Sequence, residues 1–361
     1  MSKDKSLSNF SIFTATNLSL HFTMVQILRK LLFPFAILYG WITGFRNFLF
    51  NKGVLESREY KTPLVCVGNL SVGGTGKSPM IEYLISFLKE DYSIAVLSRG
   101  YKRETSGFLE VTEIHNAAQV GDEPLQFKKK YPDITVAVCA DRRTGIAKLE
   151  EKADVILLDD AFQHRKVSPA VTILLTPFHD LFIEDYMLPT GNLREPRSGS
   201  KRAHCLVVTK CPPRVPYAKL QEIELRMPIY NHQKLYFSSI GYSREIFNKT
   251  ESLPLEYLQN KNFTLVTGIA DPSPLVNFLT EKEFRFTHKA FPDHHMYSSA
   301  EIEQLKEKEI ILTTEKDYMR LHDKIDKFAL FYLPIQTEVL KEQAEFFEDF
   351  IIKSIDKKRL G

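Results

Sequence analysis

Four cysteines in 361 residues, a single tryptophan and a formal net charge of only +3 are the scarcest features of this chain. Cys66, Cys139, Cys205 and Cys211 each stand alone within or beside apolar runs, with no C-x-x-C spacing. That pattern argues against a zinc ribbon or a dithiol redox centre and predicts buried thiols in a reducing compartment. Forty-eight Lys and Arg against 45 Asp and Glu leave no cationic excess to neutralise a nucleic-acid backbone, so no nucleic-acid partner is expected. The chain also lacks internal repeats, a long low-complexity tract and an apolar run of the roughly 20 residues that would span a bilayer. No small-residue cleavage site follows its first apolar stretch, which argues against a signal peptide.

What is present is enough apolar sequence, 43%, for two packed domains of ordinary size. The first 23 residues are Ser/Thr-rich and unpatterned and read as a flexible extension or the product of an upstream start codon. From Met24 the stretch "MVQILRKLLFPFAILYGWITGFRNFLF" brackets about fifteen uncharged residues between Arg29, Lys30 and Arg46. Its aromatics and flanking cations suit a helix lying in or partly inserted into a membrane surface; a buried amphipathic helix is the alternative.

Beyond it, "PLVCVG", "SIAVLSRGY", "TVAVCADRR", "DVILLDDAFQH", "VTILLTPF" and "HCLVVTKCP" are short Val/Ile/Leu runs ending in polar residues. Such runs, separated by helical segments, predict an α/β fold with a mostly parallel sheet, and ligands beyond the carboxyl ends of its strands. A Pro-rich polar stretch over 213–232 predicts a boundary, giving residues 24–52 as the helix, 53–215 as the core and 216–361 as a smaller second α/β unit.

The stretch "SVGGTGKSP" (71–79) lies between a predicted strand and a predicted helix. Ser71, Val72, Gly73, Gly74, Thr75 and Gly76 would wrap phosphate oxygens with backbone N–H groups, Lys77 would reach the β- and γ-phosphates, and Ser78 would ligate magnesium. Ser71 departs from the glycine that usually opens this pattern. Asp159 and Asp160 end an apolar strand as a metal-holding pair would, although an Asp after a strand is also a common helix cap. "VGDEP" carries Asp122 and Glu123, and "FPDHH" carries Asp293, His294 and His295; each is a candidate acid–base or metal site and equally a structural one. Arg99, Arg142, Arg143, Arg194 and Arg197 cluster at strand ends, where guanidinium forks suit phosphate.

"GNLSVGGTGKSP", "LSRGY", "VGDEP", "DDAFQH", "LPTGNLREP", "VVTKCP", "TGIADP", "FPDHH" and "LTTEKDYMRL", in this order behind the hydrophobic helix, resemble the tetraacyldisaccharide 4'-kinase family of lipid A biosynthesis. The resemblance covers roughly residues 24–335, and a serine opening the loop is normal for that family. It implies a P-loop NTPase-like core and transfer of phosphate from ATP, with Mg2+, to the 4'-hydroxyl of a tetraacyldisaccharide 1-phosphate, forming lipid IVA at the cytoplasmic face of the bacterial inner membrane. No obligate protein partner is implied. Lys77 and Ser78 then match the family's loop residues, Asp159 and Asp160 its metal carboxylates, and Asp122 the carboxylate acting with a histidine, His294 rather than His295. Arg99 and Arg194 are candidates for the acceptor's phosphate-bearing end. Asp271 stands where an Asn is more usual and receives no role. Two other readings are a P-loop GTPase or assembly factor, against which "TKCP" lacks the Asp of NKxD, and a soluble small-molecule kinase.

Overall fold

Runs of Val, Ile and Leu with no polar alternation form strands covered on both faces, and six of them assemble the centre of the larger sheet. The computed structural model describes residues 28–293, 295–325 and 329–360. The chain enters through a helix, α1 (Phe33–Asn51), which starts at Pro34 within its first turn. It then lays down β1 (Leu64–Asn69), β2 (Ile94–Ser98), β3 (Leu109–Glu110), β4 (Thr135–Val138), β5 (Val155–Asp159), β6 (Val171–Pro177), β7 (Cys205–Cys211) and β8 (Lys234–Tyr242). A second sheet follows with β9 (Glu245–Phe247), β10 (Ser252–Pro254), β11 (Asn262–Thr267), β12 (Arg285–Ala290), β13 (Ile311–Thr314) and β14 (Leu330–Leu333). The last strand, β15 (Ile335–Val339), returns to the first sheet and pairs antiparallel with β8.

The larger sheet runs β15-β8-β7-β6-β1-β5-β2-β4-β3 and is parallel from β8 to β4. The smaller runs β10-β9-β14-β13-β11-β12, parallel from β14 to β12. The expectation that the second unit begins at 216 is corrected here. β8 pairs in parallel with β7, and the C-terminal helix buries Phe347, Ile351 and Ile355 in the first sheet's core. Only residues from about β9 to β14 belong to the second sheet. All four cysteines are free and buried, as their apolar settings predict.

Three helices meet between the two sheets: α2 (Lys77–Leu88), α3 (Asp122–Lys130) and α4 (Glu315–Leu321). α2 follows β1 and buries Met80, Ile81, Leu84, Ile85 and Leu88, the i, i+3, i+4 stripe expected of a helix covering a sheet. α4 belongs to the second sheet and packs on α3 of the first.

Where these helices meet, Lys130 Nζ lies 2.6 Å from Glu82 Oε2 and 3.2 Å from Glu315 Oε1. Two buried carboxylates share one ammonium, so one negative charge is in surplus. Burial, and then Glu82, push the Glu315 carboxyl up from 4.5 to about 8. Folded Glu315 therefore holds a proton that the unfolded chain releases. Its stabilising effect is complete below about pH 4.5 and is lost as pH rises through about 8. Glu315→Gln, which keeps the protonated shape, should melt with the wild type near pH 4 and about 2 to 4 °C or more above it near pH 9. Identical pH dependence of Tm in the two proteins would contradict this account.

Candidate functional site

The glycine-rich loop arises because β1 is buried along its whole length and delivers the chain to the sheet's carboxyl edge. Gly73 and Gly76 there take φ of +111° and +90°, values that L side chains rarely adopt. Gly76 directly precedes the first residue of α2, Lys77, so the free N–H groups of the helix face the loop. Ser71 has no left-handed backbone. Its buried side chain sits where the loop forms a bridge with Leu193, and Val72 N–H donates to the Asn192 carbonyl at 2.8 Å. Glycine is thus not required at 71. Asn69 Nδ2 and Thr209 Oγ1 hold Thr75 from both sides, at 2.7 and 2.8 Å.

The neighbouring strand β5 places Asp159 and Asp160 beside the loop. Asp160 has φ +45°. It lies 3.8 Å from Lys77 Nζ and accepts from both terminal nitrogens of Arg194, at 3.1 and 2.8 Å. Burial raises its carboxyl, but Lys77 and Arg194 outweigh that and hold it low. Arg194 also donates to Asn69 Oδ1. Asp159 is 2% exposed and accepts from Ser98 Oγ at 2.9 Å through Oδ2. Its Oδ1 is buried with no protein partner among the described residues. Burial, with Glu123 and Asp160 adding to it, pushes Asp159 up to about 7.

Ser78 Oγ donates to Glu123 Oε1 at 3.0 Å. The unpaired Asp159 oxygen, the Asp160 carboxylate and the Ser78 hydroxyl form an all-oxygen donor set that fits a hard divalent cation such as magnesium. Among the described residues no cluster of three or more His, Cys, Asp or Glu makes a metal cage. A magnesium site that also draws on phosphate and water oxygens does not require one.

From the second sheet, Arg320 forks onto Asp122, with Nε at 3.1 Å from both carboxylate oxygens and Nη2 donating to Oδ2. Arg320 is held in turn by Asp317 at 3.1 Å, and Asp317 accepts from Gly268 N–H and Thr314 Oγ1, both at 2.7 Å. Lys316 Nζ lies 2.6 Å from Glu123 Oε1.

The structure brings together Lys77, Ser78, Asp159, Asp160 and Arg194, with Asp122 and Glu123 alongside. Arg99 is exposed just past the end of β2. His294 lies outside the described residues. His295 is tied to Glu301 at 3.0 Å and stacks on Phe291. The sequence assigns no role to Ser98, Lys316 or Arg320, and offers Glu123 only as a candidate acid–base or metal carboxylate beside Asp122. The available signal was the i, i+4 spacing of Lys316 and Arg320, which puts both cations on one helix face.

A parallel sheet with a glycine loop opening a helix, and paired aspartates closing the adjacent strand, define a P-loop phosphotransferase. The family described as "Tetraacyldisaccharide-1-P 4'-kinase" matches residues 28–356, and the chain belongs to it. The tetraacyldisaccharide 4'-kinase of Flavobacterium johnsoniae is 48% identical over 89% of this chain and 96% of its own length. That of Bacteroides thetaiotaomicron is 41% identical over 92% and 94%. A crystal structure from Aquifex aeolicus, described as "apo" form LpxK in complex with ATP, aligns with a TM-score of 0.73 at 31% identity, covering 91% of this chain and 99% of that one. The chain is therefore a kinase, and the GTPase and assembly-factor readings fall away.

Proposed function

We propose that this chain transfers the γ-phosphoryl group of ATP to the 4'-hydroxyl of a tetraacyldisaccharide 1-phosphate, forming lipid IVA, while seated on the cytoplasmic face of a bacterial inner membrane. The observation that carries the reading is that Lys77, Ser78, Asp159 and Asp160 cluster beside Glu123, which accepts from Ser78, and that the adjacent Asp122 is braced by Arg320. Phosphoryl transfer needs positioning and charge neutralisation more than covalent chemistry. Loop amides and Lys77 bind the phosphates. Ser78, Asp159 and Asp160 would hold magnesium, which when bound supplies positive charge to the β- and γ-phosphate oxygens. Asp122 receives or steers the proton of the attacking hydroxyl, with His294 as its proposed partner. Arg99 and Arg194 are the proposed contacts to the acceptor's phosphate.

A lipid acceptor is supported by α1. Phe33, Phe35, Leu38, Trp41, Ile42, Phe45 and Phe48 are exposed, and Trp41 keeps 76% of its surface. The opposite face docks on the segment that carries Arg194: Tyr39 Oη donates to the Arg194 carbonyl at 2.9 Å and Asn47 to Glu195 at 2.7 Å. No helix among the described residues is long and apolar enough to cross a membrane, so the reading is an interfacial helix beside the acceptor site.

The test measures transfer of labelled γ-phosphate to tetraacyldisaccharide 1-phosphate, presented either in anionic vesicles or in detergent micelles. Wild type should phosphorylate both. A Trp41→Glu/Phe45→Glu variant should lose at least about tenfold on vesicles, since burying each charge costs about 2 kcal/mol or more, and stay within about twofold in micelles. Absence of transfer by wild type would refute the reaction, and equal vesicle activity of the variant would refute the membrane role of α1.

A further inference from the structure

α4 brings two cations to two adjacent carboxylates of α3, and their surroundings differ. Arg320 is gripped by Asp122 and Asp317 with its side chain 5% exposed, which makes it a fixed brace. Lys316 is 30% exposed, and its one hydrogen-bond partner among the described residues is Glu123. A single oxygen, Glu123 Oε1, accepts from both Lys316 Nζ at 2.6 Å and Ser78 Oγ at 3.0 Å. The ammonium thus stands one carboxylate oxygen away from the first-turn hydroxyl of the phosphate loop helix. Asp122 and Asp159 also add to the negative field around it.

We propose that Lys316 is a phosphate-binding catalytic cation that the second sheet contributes to the transfer site, exchanging Glu123 for the γ-phosphoryl group when ATP enters. This rests on the kinase reading above. The loop itself brings one lysine, Lys77, already beside Asp160, and Arg194 is occupied by Asp160 and Asn69. A triphosphate adds roughly four negative charges to a site already holding Glu123, Asp159 and Asp160. An ammonium whose carboxylate partner is shared with Ser78 is the cation best placed to follow that charge. A cation reaching in from a second structural unit acts as an arginine finger does in related transfers. Lys316 makes and breaks no covalent bond and keeps its protons. Its departure from Glu123 couples γ-phosphate occupancy to the contact between α3 and α4.

Calorimetry on the full chain in detergent, with Mg2+ and either ATP or ADP, tests this. Wild type should bind ATP more tightly than ADP. Lys316→Met should weaken ATP about tenfold with ADP unchanged, and lower kcat about a hundredfold; Lys316→Arg should recover much of both. In Lys316→Met/Glu123→Gln, where no carboxylate is left unpaired, the ATP preference should stay lost. Its return to wild-type strength there would mean that Lys316 only balances Glu123, and would overturn the inference. So would an unchanged ATP preference in Lys316→Met while the wild type transfers phosphate. Absence of transfer by wild type would overturn the kinase reading itself, and this inference with it.

Discussion

Exchanging Asp122 for asparagine is expected to lower kcat for phosphate transfer by about a hundred- to ten-thousandfold while leaving the dissociation constant for ATP within about twofold. The separation follows from placement. Asp122 opens α3, outside the glycine loop, and accepts the Arg320 fork. The guanidinium fork fixes both carboxylate oxygens, which suits the proposed role of Asp122 in proton work on the acceptor rather than in holding nucleotide. Asparagine keeps an oxygen for the fork but cannot take a proton. The variant also leaves Arg320 short of one charge partner in a mostly buried setting, which should lower Tm by several degrees. Rapid-quench transfer assays, nucleotide titration and a melting curve on the same preparation decide the matter. A folded Asp122→Asn protein with wild-type kcat would remove this residue from the chemistry.

Much of this arrangement is legible along the chain because it is local. Gly73, Gly76, Lys77 and Ser78 lie within six residues, between a buried strand and an apolar-striped helix, and the Asp159–Asp160 pair closes an equally plain strand. Contacts between distant residues are less visible. Lys316 and Glu123 are 193 residues apart, and Arg320 and Asp122 are 198 apart; no local pattern says which helix will face α3. The same limit misplaced the boundary at 216. "KLYFSSIGY" is strand-like in either sheet, and only its pairing with β7 on one edge and β15 on the other assigns it to the first. Strand type follows from residue chemistry, whereas sheet membership is a property of the packed whole.

The second large effect concerns Asp159, where stability and function should move in opposite directions. Its side chain is buried, one oxygen has no protein partner among the described residues, and Glu123 and Asp160 add negative charge nearby. A carboxylate in that setting destabilises the ligand-free fold, a cost consistent with the proposed metal role of Asp159. Asp159→Asn keeps an acceptor for Ser98 Oγ and removes the charge. The ligand-free variant should therefore melt above the wild type at pH 8, by about 1 to 2 kcal/mol of added stability, roughly 2 to 8 °C. Transfer should fall about a thousandfold, and the rise in Tm that Mg2+ and ATP confer on the wild type should shrink by more than half. Melting curves at pH 8, with and without Mg2+ and ATP, report all but the rate. If ligand-free Asp159→Asn melted below the wild type, the unpaired carboxylate would be part of the fold's support, and its assignment to a metal would lose its physical basis.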